Sequence, residues 1–442
     1  MSVKKVKKSA IQLIKGMKDI LPDDQQYWQW LRDRVDNFAK NYGFGRLDTP
    51  IVEFTPLFKR SVGEDTDIVS KEMYSFVTEG GDKLSLRPEN TAGVVRAYIE
   101  HGMVNLPQPV KLFYIGQQFR HDKPQAGRYR QFWQFGFEAI GETDPVIDAQ
   151  MVIISHNFLK GLGLDVEVQI NSVGDANCRP QYLKALKGYY QNHRKELCSD
   201  CQDRFNKNTL RLLDCKNAKC QELANSAPQM VDHLCESCKE HFMGVLEYLD
   251  ELDIAYNLNA KIVRGLDYYT KTAWEIVETS EAGKLQSLGG GGRYDDLVET
   301  LGGRPTPAVG FAIGLERVIL KLQENKITPP ASKPLEVFVA QLGLEARKKS
   351  MSLFEDLRRE GFQVAEAMSK KGLKDQLELA SKKGVRYVVI LGQKEIADGT
   401  VLIRDMESCV QEVVDFRKIK LELRKRLDSE SVRLIKVKKK AQ

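Results

Sequence analysis

Two sets of residues in this 442-residue chain have types and spacings suited to chemistry. The first lies on alternate positions between Lys111 and Gly141. Tyr114, Gly116, Gln118 and Arg120 share one side of a period-two pattern, as do Arg130, Gln134, Gly136 and Glu138 further on. The opposite side carries Phe113, Ile115 and Phe119, then Tyr129, Trp133, Phe135, Phe137 and Ala139, and Phe132 is the one apolar residue on the polar side. The pattern predicts a long antiparallel hairpin joined by the polar loop HDKPQAGR. An Arg, two Gln and a Glu around glycines suit the floor of a site for a polar, partly anionic ligand. The glycines leave room above the sheet, and a guanidinium offers a planar fork of donors.

The second set is sulfur. Six of the eight cysteines fall between Cys198 and Cys238. Cys198-x-x-Cys201 and Cys235-x-x-Cys238 have the spacing of paired thiolates around a tetrahedral metal, so these four are the first-choice ligands for a structural Zn2+. Free thiols in a reducing compartment and redox pairing are the alternatives. Cys215 and Cys220 lie between the pairs, so six thiols compete for four positions. Cys178 and Cys409 stand alone and read as ordinary residues.

The elements that must position these groups are legible in outline. Trp28, Leu31, Val35 and Phe38 recur at helical spacing between Gln25 and Asn41. Pro50 marks a sheet edge or subunit boundary, since it cannot donate to a ladder. MYSFVT and KLSLR read as paired strands about a Gly-Gly turn, followed by a helix from about Gly93 to His101. A helix over 144–160 and a strand over 165–171 come after the hairpin. Residues 175–258 turn helical, charged and cysteine-rich, and read as an insertion into a β-rich domain. Strand character returns at KIVRGLDYYTKTAWEIVE, and PAVGFAIGLERVILKL passes from strand to helix. After the Pro-rich linker KITPPASKPLE, strands and helices alternate as in a small α/β domain. From Arg417 to the end, eleven basic residues face three acidic ones, a tail that reads as a solvated helix or an RNA-backbone contact.

Composition is that of a soluble globular protein, with 42% hydrophobic and 29% charged residues and a net charge of +6. The mild basicity fits a polyanionic partner without requiring one. No apolar run is long enough for a membrane span and no apolar segment follows the basic start, so the expected compartment is the cytoplasm. No Walker loop occurs, and the four-glycine run 289–292 fails the dinucleotide fingerprint because Tyr294 stands where its last glycine belongs.

Taken together, F-R-H-D-K-P…R-Y-R-Q-F around Arg120, A-V-G-F-A-I-G-L-E-R and R-G-L-D-Y-Y resemble the motifs of class II aminoacyl-tRNA synthetases. R-G-L-D-Y-Y-T, R-P-E-N-T-A-G at 87–93 and F-W-Q-F-G-F-E at 132–138 resemble the histidyl-tRNA synthetase family, in the expected order from Gly16 to about Asp415. The resemblance implies an α+β chain. Its class II catalytic domain, an antiparallel sheet flanked by helices, spans 1–330 and includes the helical insertion 175–258. A small α/β anticodon-binding domain at 333–420 and a basic tail at 421–442 follow. It further implies a homodimer that uses ATP, L-histidine and the histidine tRNA, with Mg2+ accompanying ATP.

By the same resemblance Arg120, Arg264 and Arg317 are catalytic. Arg120 and Arg264 hold the α-phosphate from opposite sides, and Arg317 holds the γ-phosphate. Glu89, Asn90, Thr91, Gln134, Glu138, Tyr268 and Tyr269 line the histidine pocket, with Glu138 and a tyrosine hydroxyl answering the two imidazole nitrogens. Asn90 and Lys123 depart from the family's usual Gly and Arg. The first is a mild change, because Asn tolerates positive φ, whereas Lys123 loses the bidentate fork. Three rivals are a regulatory paralogue without catalytic arginines, a synthetase for another amino acid, and an RNA-binding scaffold. Arg120, Arg264, Arg317 and residues 333–415 count against the first, R-G-L-D-Y-Y with Glu138 against the second. Only the basic tail and the small α/β domain suggest the third.

Overall fold

A computed structural model describes residues 11–438 apart from 65, 264, 265, 267, 280–284 and 332. The chain divides into two compact units, Met1–Pro329 and Pro330–Gln442. In the first, α1 (Gln25–Asn41), β1 (Gly45–Arg46), β2 (Val52–Phe54), α2 (Thr55–Val62), β3 (Ser75–Val77), β4 (Lys83–Leu86) and α3 (Thr91–Glu100) precede the hairpin strands β5 (Val110–Phe119) and β6 (Gln131–Ile140). Then come α4 (Pro145–Lys160), β7 (Val166–Gly174), α5 (Arg179–Asn192), α6 (Ser199–Lys207), α7 (Ala218–Asn225), α8 (Glu236–Glu251) and β8 (Tyr256–Leu258). The unit ends with β9 (Thr270–Thr279), β10 (Leu285–Arg293), α9 (Leu297–Thr300), β11 (Ala308–Gly314) and α10 (Leu315–Glu324).

The main sheet has eight strands in the order β1-β5-β6-β11-β10-β9-β7-β8. Pairing is antiparallel from β5 through to β7 and parallel only at the two edges. The hairpin register sets Gly116 opposite Gln134, Tyr114 opposite Gly136 and Leu112 opposite Glu138. The apolar side of the hairpin meets the helices as its period-two pattern requires. Phe113, Ile115, Phe135, Phe137 and Ala139 join Leu31 and Val35 of α1, Met151, Val152 and Phe158 of α4, and Phe311 of β11 in one core. Phe137 stacks on Phe311 with ring centroids 5.2 Å apart, and burying each ring stabilises the fold by about 2–3 kcal/mol. Helix α4 starts where Asp144 accepts from the Val146 N–H with Pro145 in the first turn.

The glycine run is a strand and no phosphate loop. It forms the middle of β10, where a Cβ on Gly289 would lie 2.5 Å from the Ala312 carbonyl and one on Gly291 2.1 Å from that of Gly310. Close approach to β11 therefore forbids side chains there.

Helices α5, α6 and α7 gather around a separate core of Tyr182, Leu186, Tyr190, Phe205, Leu212 and cysteines. Helix α8 starts in that core with Cys238 but buries Phe242, Val245 and Leu249 in the core of the sheet. A small sheet, β2-β4-β3, carries exposed Val52, Phe54, Phe76 and Val77.

The second unit runs β12 (Val337–Gln341), α11 (Leu344–Arg359), β13 (Val364–Glu366), α12 (Leu373–Lys382), β14 (Tyr387–Leu391), α13 (Gln393–Asp398), β15 (Thr400–Asp405), β16 (Gln411–Asp415) and α14 (Ile419–Lys438). Its sheet, ordered β13-β12-β14-β15-β16, packs on α11, and the first turns of α14 add buried Ile419 and Leu423 to that core. Among the described residues no helix is long and apolar enough to cross a membrane.

Candidate active site

The polar side of the hairpin is roofed rather than wet. Tyr114 of β5 packs with Tyr268, Tyr269 and Tyr294 and with Val94, Val95 and Tyr98 of α3. Beneath them lies Glu138, 1% exposed. Thr91 Oγ1 donates to Glu138 Oε1 at 2.8 Å, and the Tyr294 hydroxyl donates to Oε2. Burial pushes the Glu138 carboxyl up to about 8, against the pull of those two hydrogen bonds, while the nearby charge of Glu89 adds to the rise. Gly310 on the neighbouring strand makes room for this group, since a Cβ there would lie 1.6 Å from Oε2.

Glu89 is also buried, and its carboxylate accepts from the N–H groups of Thr91 at 2.7 Å and Ala92 at 2.9 Å, at the start of α3. An anion there meets orphan donors and the positive end of the helix. Burial still pushes its carboxyl above the ordinary range. Asn90 has φ −109°, so the position makes no demand for glycine, and it accepts from Thr49 Oγ1 at 2.7 Å. Gln134 is half-buried beside Gly116, and Tyr268 and Tyr269 are buried with their rings 4.7 Å apart.

Three guanidiniums gather at the loop end of the hairpin. Arg120 Nε donates to the Pro88 carbonyl at 2.9 Å, and its head lies 5.6 Å from the Phe132 ring, which gives that apolar intruder a purpose. Arg317, in the first turn of α10, donates from Nη1 to the Ser287 carbonyl at 2.6 Å and from Nε to that of Gly127 at 3.3 Å. Burial pulls its pKa down, and repulsion from Arg128 and Arg120 pulls it further. Arg128 pairs with Asp122 at 3.3 Å. Fixed like charges that repel one another are prepared for an anion. Lys123 is exposed on the same loop. Arg264 lies outside the described residues.

Several groups with a part in this site were not singled out by sequence. Arg87 donates to the carbonyls of Gln117 and Thr49, both at 2.8 Å, and covers Gly116, where a Cβ would fall 2.2 Å from its Nη2. Its signal was its place in R-P-E-N-T-A-G. Tyr294 drew notice only as a misfit to a glycine fingerprint. Glu316 accepts from the Trp133 N–H through both oxygens, at 2.9 and 3.0 Å, and burial pushes its carboxyl up to about 7.

The expected zinc ligands do not come together as one set. Cys198 and Cys201 lie with Cys215 and Cys220, whereas Cys235 and Cys238 lie with Asp175 and Cys178. The two C-x-x-C pairs open different helices, so they cannot share one ion, and Cys178 is not the isolated residue its spacing suggested. Cys409 is exposed.

An antiparallel sheet flanked by helices, a hairpin ending in Arg120 and a strand-to-helix junction carrying Arg317 are the architecture of a class II aminoacyl-tRNA synthetase. A family model described as histidyl-tRNA synthetase matches residues 16–318, and one described as an anticodon binding domain matches residues 336–426. The chain belongs to the histidyl-tRNA synthetase family. It is similar to a histidine–tRNA ligase of Dehalococcoides mccartyi, with 48% identity over 93% of this chain and 99% of the relative. A histidine–tRNA ligase of Desulforamulus reducens is 45% identical over 93% of this chain and 98% of its own. The crystal structure of apo S. aureus histidyl-tRNA synthetase matches with a TM-score of 0.78 and 33% identity, covering 94% of this chain and all (100%) of that one.

Proposed function

We propose that this chain attaches histidine to its tRNA in two steps. A histidine carboxylate oxygen attacks the α-phosphorus of ATP and pyrophosphate leaves; a hydroxyl of the tRNA's terminal adenosine then attacks the carbonyl and AMP leaves. The observation that carries this reading is one floor with two ends: buried Glu138 under a tyrosine roof at one, and Arg120 with Arg317 at the other. Arg120 would hold the α-phosphate and Arg317 the γ-phosphate, with Arg264 opposite Arg120. The carboxylate is already ionised at neutral pH, so no side-chain base is required. Positioning and preorganised positive charge supply the catalysis.

In the pocket Glu138 and a hydroxyl from Tyr268 or Tyr269 would answer the imidazole nitrogens, and Glu89, Thr91 and Gln134 the α-ammonium. Asn90, engaged with Thr49, would shape the wall. Mg2+ would arrive with ATP and supply positive charge to its phosphates. Glu275 of β9, whose charge acts on Arg317, would be a carboxylate to help hold it.

The finer organisation belongs to the same reading. We assign 1–330 to catalysis, 175–258 to an insertion toward the acceptor arm with a structural Zn2+ apart from the reaction, 333–420 to anticodon binding and 421–442 to a basic tail. Exposed Val52, Phe54, Phe76 and Val77 on the small sheet support a homodimer through that face, and the cytoplasm is the compartment. ATP–pyrophosphate exchange, measured with each amino acid in turn, tests the function. Exchange is expected with histidine; its absence, or equal exchange with another amino acid, overturns the proposal.

A further inference from the structure

Asp175, Cys178, Cys235 and Cys238 form one ligand set, and Cys198, Cys201, Cys215 and Cys220 another; in each, the ligand atoms all lie within 4.8 Å of one another. Around a tetrahedral Zn2+ with Zn–S of about 2.3 Å, two sulfurs stand about 3.8 Å apart and a sulfur and an oxygen about 3.5 Å. The Cys198 and Cys215 sulfurs are 3.7 Å apart. Asp175 Oδ1 lies 3.3 Å from Cys178 Sγ and 3.8 Å from Cys235 Sγ. All of these cysteines are free thiols.

Backbone and hydrogen bonding repeat between the two sets. Each C-x-x-C pair opens a helix in nearly the same conformation, with Cys198 at φ −64°, ψ 162° and Cys235 at φ −68°, ψ 161°. Backbone N–H groups point at sulfur: Cys198 N at Cys220 Sγ (3.3 Å), Asn217 N at Cys215 Sγ (3.5 Å) and Asp175 N at Cys178 Sγ (3.2 Å). Such donors orient sulfur toward a metal. Cys201, Cys220 and Cys238 are fully buried, at 0% exposure. Four sulfur or carboxylate ligands gathered within reach of one ion, with no open position, make a closed, structural site.

We propose that the insertion is a two-zinc module, with an internal centre held by Cys198, Cys201, Cys215 and Cys220 and a root centre held by Asp175, Cys178, Cys235 and Cys238. The internal centre clamps the start of α6 to α7. The root centre joins the point where the chain leaves β7 to the point where α8 turns back to the sheet. From there two contacts carry its geometry inward. Arg179, next to Cys178, donates from Nη2 to the Tyr269 carbonyl at 2.6 Å. His241 of α8 contacts Asp148 at 2.7 Å, and Asp148 also accepts from Thr272 at 2.7 Å and binds Arg293. The root centre thus fixes the attachment of the insertion to the sheet and to one histidine-pocket tyrosine. Metal content is independent of aminoacylation, so this inference and the proposed reaction fail separately.

The test is elemental analysis of the full chain, purified under reducing conditions without chelator, with cobalt spectra as the second readout. About two equivalents of Zn2+ per chain are expected, one per tetrahedral site. Cys215→Ser and Cys178→Ser should each lower the content to about half. In the cobalt-substituted protein, Cys178→Ser should leave the all-sulfur spectrum, whose d–d bands lie at longer wavelength, and Cys215→Ser the mixed sulfur–oxygen one. Asp175→Cys, which adds a thiolate instead of removing one, should keep full zinc and shift the mixed bands toward the all-sulfur position. A chain without zinc, intramolecular disulfides among these cysteines in non-reducing mass spectrometry, or zinc content and bands that ignore Cys178→Ser and Asp175→Cys would overturn the proposal.

Discussion

The catalytic floor and the cysteine-rich insertion both bury groups that prefer water, and they accommodate them in opposite ways. On the floor, Glu138 lies under four tyrosines with two hydroxyls to bind, and Arg317 lies near two other guanidiniums. Desolvation disfavours the Glu138 carboxylate and, with repulsion, the Arg317 guanidinium, and in the proposed reading a ligand that brings imidazole N–H groups and phosphate relieves them. In the insertion the buried sulfurs are arranged around one another, with backbone donors already aimed at them. In the readings proposed above, one region is prepared for a transient visitor and the other for a permanent one. Substitutions should therefore separate: changes on the floor act mainly on turnover, and changes among the thiols mainly on stability.

The largest effect is expected from the guanidiniums. Arg120→Ala and Arg317→Ala should each lower histidine-dependent ATP–pyrophosphate exchange by roughly 100- to 1,000-fold, the usual loss for a preorganised donor to a charged transition state. Arg264→Ala should fall in the same range, with ATP still bound. The melting temperature should change little for Arg120→Ala and Arg317→Ala, because relief of their mutual repulsion offsets the loss of their attraction to Glu72, Glu89 and Glu275. A large drop in melting temperature with unchanged single-turnover activation would erase the distinction between the two regions.

Glu138→Gln comes next, with a pH signature. In the ligand-free protein burial holds this carboxyl at about 8 against an ordinary 4.5. Folding therefore takes up a proton in that interval. The stability from this group is complete below about 4.5 and is lost as pH rises through about 8. Wild-type melting should fall relative to Glu138→Gln across that window. Histidine, with N–H groups for the carboxylate, should expel the proton, so calorimetry in buffers of different ionisation enthalpy should show proton release near pH 7.5 that Glu138→Gln abolishes. The histidine KM should rise about 100-fold, as when one member of a buried charged pair is lost. Gly310→Ala is a milder version: its Cβ would lie 1.6 Å from Glu138 Oε2, so the carboxylate must shift. An increase of about 10-fold in the histidine KM with the ATP KM unchanged is expected from steady-state exchange.

The same contrast explains what was legible in sequence. The hairpin could be read because alternation is a local signal: Phe113, Ile115, Phe135 and Phe137 do face the helices, while Glu138 bonds Thr91 and Arg120 the Pro88 carbonyl on the other side. The roof over that face could not, because Tyr114, Tyr268, Tyr269 and Tyr294 come from three separated segments that only the sheet order unites. The glycine run 289–292 failed the dinucleotide fingerprint but was given no role of its own, because its reason for being glycine is the backbone of β11, which no window around it contains. The cysteines misled for a related reason. Spacing identifies which thiols share a helix start, but not which helix starts share an ion, and the Asp175 carboxylate completing the second set carries no cysteine signal.

The smallest effect on turnover is expected at Cys215. Its sulfur lies in the internal cysteine set, opposite Cys198 at 3.7 Å, in the core of α5–α7 rather than on the catalytic floor. Cys215→Ser should lower the melting temperature of the full chain by on the order of 10 °C, the scale set by losing several kcal/mol in a domain of this size. The rate of histidine-dependent exchange at low temperature should change by less than about 2-fold, since no preorganised donor to the transition state is moved. Transfer to tRNA is the discriminating measurement. If the insertion meets the acceptor arm, Cys215→Ser should raise the KM for tRNA in aminoacylation while leaving exchange alone. If exchange falls as steeply as it does for Arg120→Ala, the thiols belong to the reaction, and the separation between a site built for a visitor and one built for a resident is wrong.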